Sequence, residues 1–213
     1  MVRFITFEGG DGSGKTTQVR AVESYLRDLR RSCMVTREPG GTSLGKLIRK
    51  VVLESADNEI AESAELFLYL ADRAQHVEEI IAPALSSGKI VLCDRFSDST
   101  LAYQGYGRGM DLNWLRSLND SATKGVHPHL SFLFDCPVEL GLARAALRGA
   151  QSPLDRPQED RFEREKYEFH EKVRKGFLEL AQAEPERFRI IDASRSVREV
   201  AKEIRDIIDR EVI

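Results

Sequence analysis

The 213-residue chain carries 32 basic and 35 acidic side chains and has a formal net charge of −3. This length accommodates one α/β domain with a sizeable core. The near-neutral charge indicates no general affinity for nucleic acid or for an anionic membrane surface.

The cysteines and the first residues bear on the cellular compartment. Cys33, Cys93 and Cys136 are odd in number and widely spaced, which favours reduced thiols over a disulfide framework. The chain begins with a strand-like run at residues 4–7, without a charged and then apolar leader, and no apolar run reaches the ~18 residues of a membrane span. We therefore expect a cytoplasmic protein.

Short apolar runs alternate with helical stretches along the chain. The runs at residues 3–8, 33–37, 89–94, 130–135 and 187–192 predict β-strands that end in polar residues. Helical patterns cover residues 15–31, 43–54, 62–86, 111–123, 138–148, 157–183 and 197–210. This alternation predicts a three-layer α/β fold, in which helices flank a five-stranded parallel sheet and ligands bind at the carboxyl ends of the strands.

Two segments interrupt the alternation. Residues 97–109 are rich in glycine and hydroxyl side chains, and residues 149–160 contain Pro153, Pro157 and several charges. Both are predicted to be active loops. With no repeat or linker in the chain, we expect a single domain over residues 1–213 that carries a mobile lid insert at about 149–160.

A phosphate-binding loop follows the first predicted strand. Residues 9–16 match G-x-x-x-x-G-K-[ST] and lead into a predicted helix, which is the setting that this P-loop motif requires. Backbone N–H groups and the helix start would hold ATP phosphates, Lys15 would reach the β and γ phosphates, and Thr16 would bind Mg²⁺. We assign to ATP the residues Gly9, Gly10, Asp11, Gly12, Ser13, Gly14, Lys15, Thr16 and Thr17.

Charged residues at two other strand ends extend the predicted site. The strand at 89–94 ends in Asp94, a second candidate ligand for Mg²⁺, and Arg95 follows directly; Asp94 could instead be a strand-end cap. The turn after residues 33–37 presents Arg37 and Glu38 at the ligand edge, unless these are solvated turn charges.

A pair on the helix at residues 62–86 suggests recognition of a planar base. Tyr69 and Arg73 are four residues apart and therefore share one helix face. The alternative is a core tyrosine beside a salt-bridged arginine.

The absence of other catalytic motifs from the sequence limits the classes of reaction that it could catalyse. The sequence contains no evident Ser-His-Asp or Cys-His nucleophile set, and its four histidines lack metal-ligand spacing. A nucleoside monophosphate is already anionic at pH 7, so it needs neutralising cations rather than a general base. A P-loop combined with several arginines therefore favours a nucleoside monophosphate kinase over a GTPase, which would need a water-positioning glutamine.

Five motifs together resemble the bacterial thymidylate kinases, and the likeness runs from the first strand to the last helix. They are Phe7 to Thr17, Thr36-Arg37-Glu38-Pro39-Gly40-Gly41-Thr42, Asp94-Arg95-Phe96, Ala102-Tyr103-Gln104-Gly105 and Asp160-Arg161-Phe162-Glu163. The resemblance implies transfer of the ATP γ-phosphoryl group to dTMP, with Mg²⁺ bound and within a homodimer. By analogy, the dimer would form through the apolar faces of residues 43–54 and 62–86.

The resemblance also implies roles for the acceptor side. Asp11 would meet the deoxyribose 3′-hydroxyl, Tyr69 would stack on thymine and Arg73 would donate to thymine O4. Arg37 and Arg95 would grip the dTMP phosphate, with Glu38 beside them. Tyr103 would crowd the 2′ position, and Gln104 would lie beside the base.

A catalytic cation is expected from the lid. The family has two layouts, and here Asp11 and Ser13 leave the P-loop without the extra basic residue that one of them uses. The candidates are Arg148, Arg156 and Arg161, although Arg161 could simply pair on the solvated face of a charged helix. Rival interpretations are a kinase of the same fold that acts on dUMP or a deoxynucleoside, and a nucleotide-binding module without phosphoryl transfer.

Overall fold

The computed structural model describes residues 3–54, 60–151, 162 and 165–213. Within them, five strands form an all-parallel sheet in the order β2-β3-β1-β4-β5, which confirms the predicted fold class. The strands are β1 (Phe4–Glu8), β2 (Cys33–Arg37), β3 (Ile90–Asp94), β4 (Leu130–Asp135) and β5 (Phe188–Asp192). Each lies within one residue of its predicted bounds.

Helices cover both faces of the sheet. They are α1 (Lys15–Asp28), α2 (Ser43–Glu54), α3 (Glu62–His76), α4 (Ala82–Ser86), α5 (Ser97–Thr100), α6 (Leu112–Thr123), α7 (Val138–Gln151), α8 (Tyr167–Ala183) and α9 (Val197–Glu211). A π-helical turn at Val77–Ile81 joins α3 to α4, so the helix predicted at residues 62–86 is continuous. None of the described helices is both long and apolar enough to cross a membrane.

The central strands β3, β1 and β4 are mainly apolar because both of their faces are buried, whereas the edge strands β2 and β5 are partly exposed. Ile5 and Phe7 of β1 point to the layer that contains Val22 of α1 and Ile204 of α9. Phe4, the neighbour of Ile5, packs instead with the cluster around the π turn that joins α3 to α4. Burial on both sides fixes β1 at the centre of the sheet, where its carboxyl end becomes the P-loop.

The prediction of a loop at residues 97–109 is wrong. This segment is helical: α5 runs into a π-helical stretch, Leu101–Gly107. Gly105 and Gly107 allow close packing, since a Cβ on Gly107 would lie 2.6 Å from Cε2 of Phe169 on α8, and one on Gly105 would lie 2.5 Å from Cδ2 of Leu112. Gly109, which follows the helical stretch, has a φ of 82°. The glycine content suggested a loop because local sequence does not show the helices against which Gly105 and Gly107 pack.

The predicted lid falls largely outside the described residues. The helix expected to end at Arg148 continues to Gln151, so the first residues of the proposed insert are helical. Residues 152–161 are not described, and the helix predicted from 157 is observed from Tyr167.

Candidate active site

The P-loop bends sharply between β1 and α1. Gly9, Gly12 and Gly14 have φ values of 134°, 70° and 90°, which favour glycine. A Cβ on Gly9 would lie 2.6 Å from the carbonyl oxygen of Phe134, so the loop also presses closely against β4. The loop thus leads directly into the N-terminus of α1 at Lys15, which makes a favourable site for anions.

Lys15 is held inside this loop. Its Nζ donates to the carbonyl oxygens of Gly9 (3.0 Å) and Gly10 (2.6 Å) and to Oγ of Ser13 (3.2 Å). Burial, together with the charge of Arg95, lowers the pKa of Lys15 to about 8. The hydrogen-bond partners of this buried ammonium group are neutral oxygens. Nucleotide phosphates would supply a negatively charged partner.

Thr16 and Asp94 lie together at the mouth of the loop. The Thr16 hydroxyl donates to Oδ2 of Asp94 at 2.6 Å. A hydroxyl and a carboxylate are hard oxygen ligands of the kind that Mg²⁺ prefers, and Mg²⁺ sites commonly combine one or two carboxylates with substrate phosphates. The residues present therefore fit a magnesium site, and Thr17, next to Thr16, is exposed at the same helix start.

Asp11, Arg95 and Tyr103 form a cluster beside the P-loop. Arg95 donates to Oδ1 of Asp11 (2.6 Å) and to the carbonyl oxygen of Gly9 (2.8 Å), and its guanidinium carbon lies 5.1 Å from the centre of the Tyr103 ring. The Tyr103 hydroxyl donates to Oδ2 of Asp11 at 3.1 Å. Burial alone would raise the pKa of Asp11, but the charges of Arg95 and Lys15 outweigh burial and lower this pKa, so Asp11 is ionised.

Arg73 occupies the interior behind this cluster. Its guanidinium donates to Oε2 of Glu38 (2.8 Å), Oγ1 of Thr100 (2.8 Å), Oδ1 of Asn119 (2.7 Å) and the carbonyl oxygen of Phe96 (3.0 Å). These bonds use four of the five N–H groups of an arginine. Arg73 is only 2% exposed, so the core alternative considered for this residue describes its surroundings well.

Arg37 and Glu38 lie in different environments although they are adjacent. Arg37 is exposed at the end of β2, where it pairs in register with Asp94. Glu38 is 4% exposed, and its Oε1 contacts Nδ1 of His76 at 2.9 Å while Oε2 accepts from Arg73. The arginine therefore reaches the ligand edge, while the glutamate supports the loop from inside.

Tyr69 lies on α3, and Gln104 lies on the π-helical stretch that follows α5. Tyr69 shares the α3 face with Arg73 and is half-buried, with its ring centre 6.4 Å from that of Phe162. Gln104 is buried and donates from Nε2 to Oε1 of Glu65 at 2.8 Å.

A cleft opens between the P-loop, β4 and α8. Sequence reasoning assigned no role to two residues that line it, His170 and Arg174 of α8. Arg174 pairs with both carboxyl oxygens of Asp135 (2.7 and 3.1 Å), and Nε2 of His170 is buried without a hydrogen-bond partner. Both lie far along the chain from the P-loop motif, so no local pattern pointed to them.

Glu8 was also missed as an individual residue, although it belongs to the first of the five motifs. It is fully buried at the end of β1 and accepts a hydrogen bond from the backbone N–H of Phe96. A polar residue at the carboxyl end of a buried central strand was the available signal.

The three predicted lid arginines are not placed by the structure. Arg148 belongs to α7, but its side chain is not among those described, and Arg156 and Arg161 lie outside the described residues.

Comparison with known proteins identifies the relatives of this chain. The sequence model of the thymidylate kinase family matches residues 7–204. A thymidylate kinase of Desulfovibrio desulfuricans is 50% identical over 206 residues, which are 97% of this chain and 94% of that protein. One from Geobacter sulfurreducens is 49% identical over 205 residues, covering 96% of this chain and 95% of that protein.

The fold has a similar solved counterpart. The crystal structure of thymidylate kinase from Ehrlichia chaffeensis superposes with a TM-score of 0.77 at 34% sequence identity, over 98% of each chain.

Proposed function

The chain belongs to the thymidylate kinase family and phosphorylates dTMP to dTDP with ATP, and we propose that the P-loop holds the donor while Asp11, Arg37 and Arg95 hold the acceptor. The observation that carries this proposal is the cluster in which Arg95 contacts Asp11 and a P-loop carbonyl group at once. The cluster provides one cationic point at which the two phosphate groups can meet.

The donor half consists of the P-loop and Lys15. The backbone of residues 9–14 and the start of α1 bind the ATP phosphates, and Lys15 exchanges its loop acceptors for phosphate oxygens. Mg²⁺, when bound by Thr16 and Asp94, neutralises charge on the phosphates. Thr17 adds a hydroxyl group at the helix start.

The acceptor half neutralises and orients dTMP. Arg37 and Arg95 bind its phosphate, whose oxygen attacks the γ-phosphorus of ATP as ADP leaves. This phosphate has a second pKa of about 6, so no base has to deprotonate it at neutral pH. Asp11 accepts from the 3′-hydroxyl, and Tyr103 beside it crowds the 2′ position.

The base lies on the side of the acceptor site away from the P-loop. Tyr69 stacks on thymine, and the remaining N–H of Arg73 donates to O4, which disfavours cytosine. Gln104 lies beside the base, and Glu38 acts indirectly by holding Arg73. Burial raises the pKa of Tyr103, so its phenol stays neutral beside the sugar.

A direct assay tests the substrate assignment. Purified protein is incubated with ATP, Mg²⁺ and a panel of nucleoside monophosphates, and ADP formation is followed. Turnover with dTMP well above dUMP, dCMP and TMP with a ribose sugar supports the acceptor site described here. Preferred turnover of dUMP would point to the related kinase, and ATP binding without turnover of any acceptor would point to a binding module.

The lid supplies the remaining cation in this proposal, as an insert of a single domain. Individual Arg148→Ala, Arg156→Ala and Arg161→Ala variants separate the candidates, because loss of an arginine that stabilises the transferring phosphoryl group costs ~10³-fold or more in kcat. Loss of a surface pair costs only about 0 to 1 kcal/mol of stability. Wild-type rates in all three variants would refute a lid arginine.

We also propose a homodimer through α2, α3 and the neighbouring α6. Large apolar side chains are exposed on these helices: Leu44, Leu47 and Val51 on α2, Phe67 on α3 and Trp114 on α6. Phe67 and Trp114 pack edge to face with ring centres 6.4 Å apart, which joins two of the helices into one surface. A contiguous apolar surface of this kind marks an interface. The free thiols and the use of ATP support a cytoplasmic enzyme.

A further inference from the structure

Arg95 has an unusual backbone for a residue with a side chain. Its φ is 69°, in the left-handed region that is unfavourable for an L-residue other than glycine. This conformation turns its side chain back over the P-loop, towards Asp11 and Gly9. A strained backbone of this kind persists only where neighbouring groups hold it.

The peptide group that follows Arg95 is held at both ends. The thiol of Cys93 donates to the carbonyl oxygen of Arg95 (3.0 Å), and the N–H of Phe96 donates to Oε1 of Glu8 (2.8 Å). The backbone N–H of Arg95 itself donates to the carbonyl oxygen of Phe7 at 3.0 Å.

Glu8 links this peptide group to the surroundings of the Arg95 side chain. It is fully buried, and its Oε2 accepts a hydrogen bond from the Ser99 hydroxyl at 2.7 Å. Ser99 lies 3.5 Å from Nη1 of Arg95, so the Glu8 carboxyl group is linked both to the backbone after Arg95 and to a neighbour of its guanidinium.

We propose that Glu8 is the positioning residue of Arg95: its carboxyl group fixes the Arg95–Phe96 peptide and thereby aims the guanidinium at the acceptor phosphate. The proposal rests on the acceptor role of Arg95 given above. Glu8 does not touch substrate, and its effect passes through Arg95.

The charges around Glu8 suggest which substitution mimics it. Burial, and then the charge of Asp98, raises the pKa of Glu8 to about 8, although Arg95 opposes this shift. At neutral pH the group is therefore mainly a neutral carboxylic acid. Glutamine keeps an acceptor for the Phe96 N–H and can donate from its amide to Oγ of Ser99, which reverses the bond that Ser99 donates to Glu8. Methionine fills a similar volume and makes neither bond.

The test compares steady-state kinetics of Glu8→Gln and Glu8→Met. A misaligned catalytic group costs up to ~10²-fold, so we expect Glu8→Met to lower kcat/KM for dTMP by about 10- to 100-fold, with KM for ATP changed by less than about 2-fold. Glu8→Gln should stay within about 3-fold of wild type in both substrates, because it keeps the bond to the Phe96 N–H and can still bond to Ser99 with the donor and acceptor exchanged. A Glu8→Met enzyme with wild-type kcat/KM for dTMP, or one impaired equally towards ATP, overturns the proposal.

Thr6→Val is the matched control. Thr6 lies on the same strand, is equally buried and bonds to Oγ of Ser131 at 2.7 Å. Its replacement removes a buried hydrogen bond to β4 and leaves both bonds of the Arg95–Phe96 peptide in place, so the melting temperature should fall while both KM values stay unchanged. If Thr6→Val reproduced the dTMP defect, the effect of Glu8→Met would be general loosening of β1, and positioning would be refuted.

A double-mutant cycle separates the positioning role of Glu8 from the proposed role of Arg95 in binding the acceptor phosphate. If Arg95→Ala is as active as wild type, the acceptor role of Arg95 is wrong. If Arg95→Ala is impaired, adding Glu8→Met to it should cost nothing further, whereas additive losses would overturn positioning through Arg95. Should Glu8→Met fail to fold, Glu8→Asp takes its place in the cycle, because the shorter chain cannot keep both contacts; unaltered kcat/KM for dTMP in Glu8→Asp would equally refute the proposal.

Discussion

Asp72 on α3 holds the loop after β2 at the cost of a buried charge. Its Oδ1 accepts from the backbone N–H of Gly40 at 3.1 Å, while Oδ2 is buried without a partner. Burial, followed by the charge of Glu38, raises the pKa of Asp72 to about 6. The Asp72 carboxyl group therefore titrates near neutral pH while it holds the loop that follows Arg37 and Glu38.

This environment predicts how stability changes with pH. The pKa of Asp72 rises on folding from 3.8 to about 6, so the folded state binds the proton more tightly and the free energy of unfolding falls as pH rises through that window. Asp72→Asn keeps the acceptor for Gly40 and cannot ionise. We expect the variant to be more stable than wild type at pH 7.5 and the difference to vanish near pH 4.

Urea unfolding at the two pH values measures this difference. Asp28→Asn, at an exposed position, controls for the loss of a surface carboxylate. A stability difference between Asp72→Asn and wild type that is the same at both pH values would contradict the prediction.

At the scale of elements, the P-loop depends on a close approach to α7. Gly12 and Gly141 face each other, and a Cβ on either would overlap backbone of the other segment; at Gly141 it would lie 2.6 Å from the carbonyl oxygen of Asp11. The contact joins two elements that meet only in the folded sheet. The contact sets how closely the P-loop packs against α7.

Gly141→Ala should therefore destabilise the protein although alanine favours helices. Helix propensity alone would stabilise α7 by about 0.5–1 kcal/mol, but overpacking against rigid backbone costs about 1–3 kcal/mol. We expect a lower melting temperature and a raised KM for ATP, measured by calorimetry and steady-state kinetics. Ala143→Ser, an exposed change on the same helix, should alter neither. A more stable Gly141→Ala enzyme would show that the loop moves aside freely.

At the scale of the whole molecule, the exposed apolar side chains of α2, α3 and α6 decide whether the chain works alone. Leu47 is 65% exposed and lies near the middle of α2. In a dimer, this side chain would be buried against the partner, and a charge there would be desolvated without compensation.

We expect Leu47→Glu to shift the protein from dimer to monomer in sedimentation experiments. Leu29→Glu is the matched control, because Leu29 is also an exposed leucine, at 41%, but follows α1 instead. The control should leave the dimer intact. A wild-type chain that sediments as a monomer at working concentration would refute the dimer itself.

How much of the fold could be predicted depends on whether a feature is set by local sequence or by contacts between distant segments. Strand bounds came out within one residue because continuous apolar runs with polar ends are a strong local signal. The segment at residues 97–109 did not, because its glycines serve contacts with Leu112 and Phe169. Helix packing of this kind involves partners that local sequence does not identify.

The sequence by itself determined the P-loop, the parallel α/β class and the family, since each depends on residues that are close together or on motifs in a set order. Only the tertiary structure decided which charges meet. Glu38 and Arg73 pair across 35 positions, and Arg95 reaches Asp11 across 84. The first pair is almost fully buried, whereas Arg95 and Asp11 each keep 18% of the side chain exposed beside the P-loop. Desolvation and charge pairing depend on distances that the order of residues does not contain.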